Sequence, residues 1–147
     1  AEARLPDGWS LDAGAMVQSA RLTRNTSGQD LDDRRLPIVP AWTLRAAIGK
    51  TWSIRSWDVT ARLRAHYTGP ARLSFDPLLD RRMGEVFESD AGVSAIQGPW
   101  TIAFDVRNVL DLTANVLAYG NPLRVPDTRQ YTPQEPLMAA FTVFFAR

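Results

Sequence analysis

The stretch Trp57-Asp58-Val59-Thr60-Ala61-Arg62-Leu63-Arg64-Ala65-His66-Tyr67 alternates without a break between two chemistries. Successive side chains of an extended strand point to opposite faces. As a strand, this stretch therefore presents Trp57, Val59, Ala61, Leu63, Ala65 and Tyr67 on one side, and Asp58, Thr60, Arg62, Arg64 and His66 on the other. A soluble half-buried strand also alternates, but it seldom begins and ends its apolar face on aromatic rings. A strand that crosses a bilayer needs them there, because the rings sit at headgroup level while the aliphatic middle faces lipid. The competing reading is an amphipathic helix with Val59, Leu63 and Tyr67 on one side, and the rest of the chain decides between them.

The same pattern recurs. Trp9, Leu11, Ala13, Ala15 and Val17 alternate with Ser10, Asp12, Gly14, Met16 and Gln18, and Trp42, Leu44, Ala46 and Ile48 with Thr43, Arg45, Ala47 and Gly49. Phe87, Ala91, Val93 and Ala95 alternate with Glu88, Asp90, Gly92 and Ser94; Trp100, Ile102, Phe104 and Val106 with Thr101, Ala103, Asp105 and Arg107. Leu137, Ala139, Phe141, Val143 and Phe145 form one face of a last strand. The segments between are of two kinds. Ser53 to Ser56 and Gln97-Gly98-Pro99 are short. The others are long: Asn25-Thr26-Ser27-Gly28-Gln29-Asp30 with the charged run Asp32-Asp33-Arg34-Arg35 up to Pro40, then Thr68 to about Glu85, and about Asn108 to Pro136, rich in turn and breaker residues.

About six antiparallel strands joined alternately by long and short connections are the pattern of outer-membrane barrels, which have long external loops and short periplasmic turns. With the short turns on the periplasmic side, Trp9, Trp52, Trp57 and Trp100 fall at periplasmic strand ends, and Trp42 and Tyr67 at external ones. The expected fold is thus all-β: transmembrane strands forming part of a larger barrel. A soluble antiparallel barrel or sandwich is the rival, and a small stand-alone barrel of about eight strands, two of them hidden in the long connections, is a further alternative. Pro122, Pro126, Pro133 and Gly120 speak against a hairpin hidden among Leu112, Val116, Leu117 and Tyr119.

Composition narrows the functions. The 147 residues are 45% hydrophobic and 22% charged with a net charge of +1, which fits one folded domain and gives no electrostatic footprint for nucleic acid. Cysteine is absent, so a disulfide framework, a thiolate metal site and a Cys nucleophile are excluded. No run is long enough for a transmembrane helix, so a membrane crossing must use strands of a closed barrel. The opening at Ala1 is what removal of a signal peptide, or trimming of a longer chain, would leave.

At Leu36-Pro37-Ile38-Val39-Pro40-Ala41-Trp42, at Asp105-Val106-Arg107-Asn108-Val109-Leu110-Asp111 and over Leu137 to Phe145, the chain resembles the C-terminal part of a TonB-dependent outer-membrane receptor. In that family an LPxVP loop end enters a strand, and an N-(V/L)-L-D sequence leaves the penultimate strand for the last external loop. Gly8-Trp9-Ser10-Leu11-Asp12-Ala13-Gly14 fits the family pattern for an earlier strand. The family usually ends on an aromatic residue, whereas Phe144-Phe145 is followed here by Ala146-Arg147. Nothing resembles the family's N-terminal plug or TonB box.

The resemblance implies a wall segment of an active transporter, working with a larger chain that carries the plug and the remaining strands and, through it, with the TonB energising complex. It implies contact with lipid bilayer and lipopolysaccharide, external loops, and both termini in the periplasm. Its substrates range over iron chelates, cobalamin and glycans. The expected open edges are the Trp9 strand and the Leu137 strand.

The candidate lumen-facing residues are Arg45, Asp58, Arg62, Arg64, His66, Asp105 and Arg107, joined by Asp12. Arg62 and Arg64 project to the same side, where acidic neighbours across the ladder could neutralise them. The single histidine excludes a multi-His metal site, and no serine stands in a nucleophile-elbow pattern. No catalytic residue, metal or cofactor is therefore expected. The loop charges Arg34, Arg35, Arg81, Arg82, Arg124, Arg129, Asp32, Asp33, Asp80 and Asp127 suit solvated, lipopolysaccharide-facing loops and point to no ligand.

Overall fold

The computed structural model describes residues 1–24, 34–75, 80, 82–116 and 132–146. The sequence features at 25–33, 76–79, 81 and 117–131 lie outside the described residues, among them the Asn25–Asp30 turn, Arg81, Gly120, Pro122, Arg124, Pro126, Asp127 and Arg129.

The chain is all-β and predominantly one antiparallel sheet. Its strands are β1 (Glu2–Arg4), β2 (Trp9–Val17), β3 (Trp42–Ile54), β4 (Trp57–Thr68), β5 (Ala71–Arg72), β6 (Arg82–Met83), β7 (Val86–Gln97), β8 (Trp100–Arg107) and β9 (Met138–Phe145). Seven of them form one sheet in the order β1-β2-β3-β4-β7-β8-β9, and β5 and β6 form a separate two-stranded piece. The order is a meander in which every neighbour pair is antiparallel. The sheet is open, with β1 and β9 as its edges.

Three features depart from the sequence expectation. Glu2–Arg4 is a strand paired to β2, with Ala3 opposite Leu11, so β2 is not an edge. A Pro6–Gly8 turn with Asp7 and Gly8 at φ 57° and 78° reverses the chain between them. The Ala1 ammonium donates to the Ala13 carbonyl at 2.7 Å and extends the β1–β2 pairing by one contact. Thirdly, β3 runs on to Ile54, because its ladder with β4 continues as far as the Ile54–Trp57 pair. That leaves Arg55-Ser56 as a two-residue turn, matched by Gly98-Pro99 between β7 and β8. Gly98 sits at φ 53° in the first loop position, where such tight hairpins need positive φ; Arg55 adopts φ 56° without being glycine.

Among the described residues the seven-stranded sheet is a single layer. The only cluster of buried hydrophobic residues among those described lies beyond its long-connection end, where Ala71, Leu73 and Met83 pack with Ile38. The long connections are tied down there by polar groups. Asp80 accepts from Arg72 Nε at 2.8 Å and from the Leu73 and Ser74 amides at 3.0 and 3.3 Å. Asn108, buried at the start of the last connection, donates to the Leu112 and Glu135 carbonyls at 2.9 and 2.8 Å and accepts from the Leu112 amide at 3.1 Å. Gln134 reaches the Phe87 carbonyl at 2.8 Å. Buried polar groups are held this way because leaving them unpaired costs more than the bonds return.

Candidate functional site

The register brings every predicted polar-face residue to one side of the sheet. Gly14 pairs with Arg45 and Arg45 with His66, which faces Glu88. Asp12 pairs with Ala47, Ala47 with Arg64, and Arg64 with Asp90. Ser10, Gly49, Arg62, Gly92 and Asp105 form the next row, and Ser53 faces Asp58. Arg107 closes this face on β8, opposite Met138.

Several of these groups are paired. His66 Nδ1 lies 3.1 Å from Glu88 Oε2, Arg45 Nε lies 3.5 Å from Asp12, and Ser53 donates to Asp58 at 2.8 Å. Arg107 stands 3.8 Å from Glu135, with both side chains about two-thirds exposed (67% and 68%), so this pair contributes little. The neutralisation expected for Arg62 and Arg64 is not made: neither has an ion-pair partner among the described residues. Asp90, opposite Arg64, accepts instead from the Asn108 amide at 3.4 Å.

Glycine shapes this face. A Cβ at Gly14 would stand 2.8 Å from Arg45 Nε, one at Gly92 2.5 Å from Asp105 Oδ1, and one at Gly49 2.7 Å from Ser10 Oγ. Each glycine thus gives room for a polar side chain of the neighbouring strand to lie across it, which is how Arg45 reaches diagonally to Asp12. Between β1–β2 and β4 this leaves a depression of about 270 Å³, with Ala47 and Gly49 as floor, Glu2, Ser10 and Asp12 on one wall and Arg62 and Arg64 on the other. Arg62 and Arg64 make no ion pair among the described residues and face Glu2 and Asp12 across the depression, so two guanidiniums are available there to an anion or an acidic segment small enough to keep clear of those carboxylates.

The opposite face is apolar except for Lys50, Ser89 and Gln97, and its large side chains stay exposed among the described residues. Leu63 is 49% exposed, Phe104 44%, and Phe141 68%. Aromatic residues gather at its two ends. Trp57, Gln97, Trp100 and Phe145 share the row beside the short turns, with Trp52 one row and Trp9 two rows above. Trp100 and Phe145 have ring centroids 4.7 Å apart. At the long-connection end Trp42 stacks on Tyr67 at 4.7 Å, and Phe87 pairs with Tyr67. In β4 the Trp57–Tyr67 interval is ten steps; at about 3.3 Å each and a tilt near 45° that is roughly 23 Å of height, close to the ~25 Å apolar band of a membrane barrel.

Sequence reading missed Glu88 as the partner of His66, because the cross-strand register that joins them cannot be read from either strand alone. It also missed Lys50, which continues the even positions of β3 and therefore stands on the apolar face opposite Trp9. The signal was present: alternation carried two residues past Ile48 puts the lysine there. No protein-family model, curated protein or solved structure matches this chain.

Proposed function

We propose that the chain is part of the barrel wall of a TonB-dependent outer-membrane transporter, its C-terminal strands, with a larger chain supplying the plug and the remaining strands. The observation that carries this reading is the single-layer sheet with one polar face and one uncovered apolar face bounded at both ends by aromatic rows. A sheet with an unburied apolar face needs a second layer or lipid, and the flanking rings favour lipid. The polar face, with Arg62 and Arg64 beside the Gly49 depression, is then the lumen along which a substrate such as an iron chelate passes. The short turns lie in the periplasm and the long connections outside, against lipopolysaccharide. The TonB energising complex acts through the companion chain. Neither a catalytic reaction nor a bound cofactor is part of this role.

The open edges carry the second half of the proposal. β1 and β9 each leave a row of backbone N–H and C=O groups unpaired, which in hydrocarbon costs several kcal/mol per group. Purification from native membranes in mild detergent, followed by denaturing electrophoresis and mass spectrometry, tests this. The expected result is a larger companion at a near one-to-one ratio. A monomeric, folded chain in buffer without detergent overturns the reading.

A further inference from the structure

Beyond Val17 and Trp42, the last register pair of β2 and β3, backbone hydrogen bonds lay three segments side by side. The Gln18 amide donates to the Ala41 carbonyl at 2.9 Å, the Leu36 amide to the Ala20 carbonyl at 2.9 Å and the Leu22 amide to the Arg34 carbonyl at 2.8 Å. On the other side of the middle segment, the Ile38 amide donates to the Arg72 carbonyl at 2.7 Å. Each segment carries an arginine. Arg21 stands directly opposite Arg35 in an antiparallel bridge, and Arg72 lies on the third segment, beside Ile38.

All three arginines line one cavity of about 850 Å³, within the range of ligand sites. Asp80 is the single acidic residue in that lining, and it is engaged by Arg72 Nε at 2.8 Å. Like charges set directly opposite each other on neighbouring strands repel, so the Arg21–Arg35 pair favours an anion between them. Val17 and Trp42 line the same cavity. Both belong to the apolar face, where Trp42 stacks on Tyr67 at 4.7 Å. The cavity therefore adjoins the aromatic row at the long-connection end, with the arginines beyond the last sheet row and the apolar face below it. Arg35 alone points to no ligand in the sequence; the fold brings Arg21 and Arg72 beside it.

We propose that this cavity holds the phosphate group of an amphiphile in the leaflet at the long-connection end, with Arg21, Arg35 and Arg72 around the phosphate and the apolar part of the ligand against Val17 and Trp42. The inference rests on the reading of the apolar face as lipid-facing. A phosphomonoester is favoured over a carboxylate because it carries close to two negative charges at neutral pH and presents three acceptor oxygens. Guanidiniums from two facing segments can then each take their own oxygens in the forked geometry that suits phosphate. An apolar part is required by the other wall: Val17 is 84% exposed, and a phosphate alone leaves it so.

The assembly purified from membranes in mild detergent is titrated, under native mass spectrometry, with lipid A bearing two phosphates, with fully dephosphorylated lipid A, and with glucosamine 1-phosphate. Phosphorylated lipid A is expected to bind at least about tenfold more tightly than either of the others, the scale of one charge-assisted hydrogen bond. Arg21 is exposed, whereas Arg72 holds Asp80, so Arg21 is the position to change. Arg21→Gln is expected to remove most of the preference and Arg21→Lys to keep most of it. Arg55→Gln, in the short turn at the opposite end of the sheet, should leave it unchanged. Equal binding of the phosphorylated and dephosphorylated lipids overturns the site. Glucosamine 1-phosphate binding as tightly as phosphorylated lipid A overturns the amphiphile. A loss in Arg55→Gln equal to that in Arg21→Gln marks general attraction of anions to the chain and also overturns the site. In each of these cases an assembly that still requires detergent leaves the membrane wall standing. A chain that is folded and monomeric without detergent overturns the site and the wall together.

Discussion

Leu63 and Arg62 are neighbours in β4 whose side chains meet opposite environments, and substituting them separates the two faces. Leu63 is 49% exposed on the apolar face. In a lipid-facing wall, Leu63→Arg near the midplane costs about 2–4 kcal/mol. Arg62→Leu should be nearly neutral, since Arg62 has no ion pair among the described residues to lose. Urea unfolding of both variants in lipid vesicles gives the comparison, and equal tolerance of the two would reverse the assignment of faces. In the proposed transporter, the same unpaired state leaves Arg62 and Arg64 free to meet a passing anion. Charge reversal at either position, Arg62→Glu or Arg64→Glu, is expected to change uptake severalfold while the amount of assembled protein stays unchanged. Uptake unaltered by both reversals returns these arginines to the role of solvated wall charges. His66 differs from them: Glu88 already occupies it at 3.1 Å, so it contributes to the fit between β4 and β7 more than to contact with a guest.

At the level of strands and turns, the two-residue hairpins Arg55-Ser56 and Gly98-Pro99 both need positive φ in the first loop residue, which glycine supplies freely and arginine does not. Arg55 holds φ 56°, a conformation that costs a residue with a Cβ roughly 1 kcal/mol or more. Arg55→Gly is therefore expected to raise stability by about 1 kcal/mol, read as a higher urea midpoint with an unchanged slope; a lower midpoint means that the Arg55 side chain holds a contact worth more than the strain. At the other end of the sheet, Asn108 ties the start of the last connection to its finish through Leu112 and Glu135. Asn108→Ala leaves those carbonyls and the Leu112 amide without their partner and should cost about 2 kcal/mol or more, detected as earlier proteolysis of the connection before the wall unfolds. The long strands were legible in the sequence because a period of two sustained over eight or more residues suits an extended strand and neither a helix nor a loop. β1 was not, since Glu2-Ala3-Arg4 is too short to establish a period and becomes a strand only by pairing with β2. The polar face was legible residue by residue. Its pairings were not, because they follow from register, and from glycines such as Gly14 whose meaning depends on the Arg45 side chain laid across them. β5 and β6, two residues each, depend on the packing of Leu73, Met83 and Ile38 and leave no pattern to read.

For the whole molecule the decisive quantity is the parity of the strands in its sheet. Seven antiparallel strands mean that β1 and β9 run the same way, both toward the short-turn end. If two or more copies of this chain closed a barrel around a common axis, β9 of one copy would meet β1 of the next in parallel. Every pair within the sheet is antiparallel, and membrane barrels of this type keep that alternation around the wall. An antiparallel closure needs a complement with an odd number of strands, whose strands at both junctions run from the short turns toward the long connections. The two edges are prepared to different degrees. β9 (Met138–Phe145) carries no charge and no proline, the features with which exposed edges are usually protected, and it offers eight residues of ladder. On β1, Glu2 and Arg4 stand on the polar face. Cysteine pairs decide between a complement of another kind and a second copy, because the chain brings no thiol of its own. Arg4→Cys combined with Ala140→Cys or Thr142→Cys places thiols on the same face of the two edges. If the proposed companion occupies both edges, oxidation in native membranes yields no covalent dimer of this chain. A ladder of disulfide-linked copies would mean that the chain closes on itself through parallel junctions, and would sink the proposal of a larger partner.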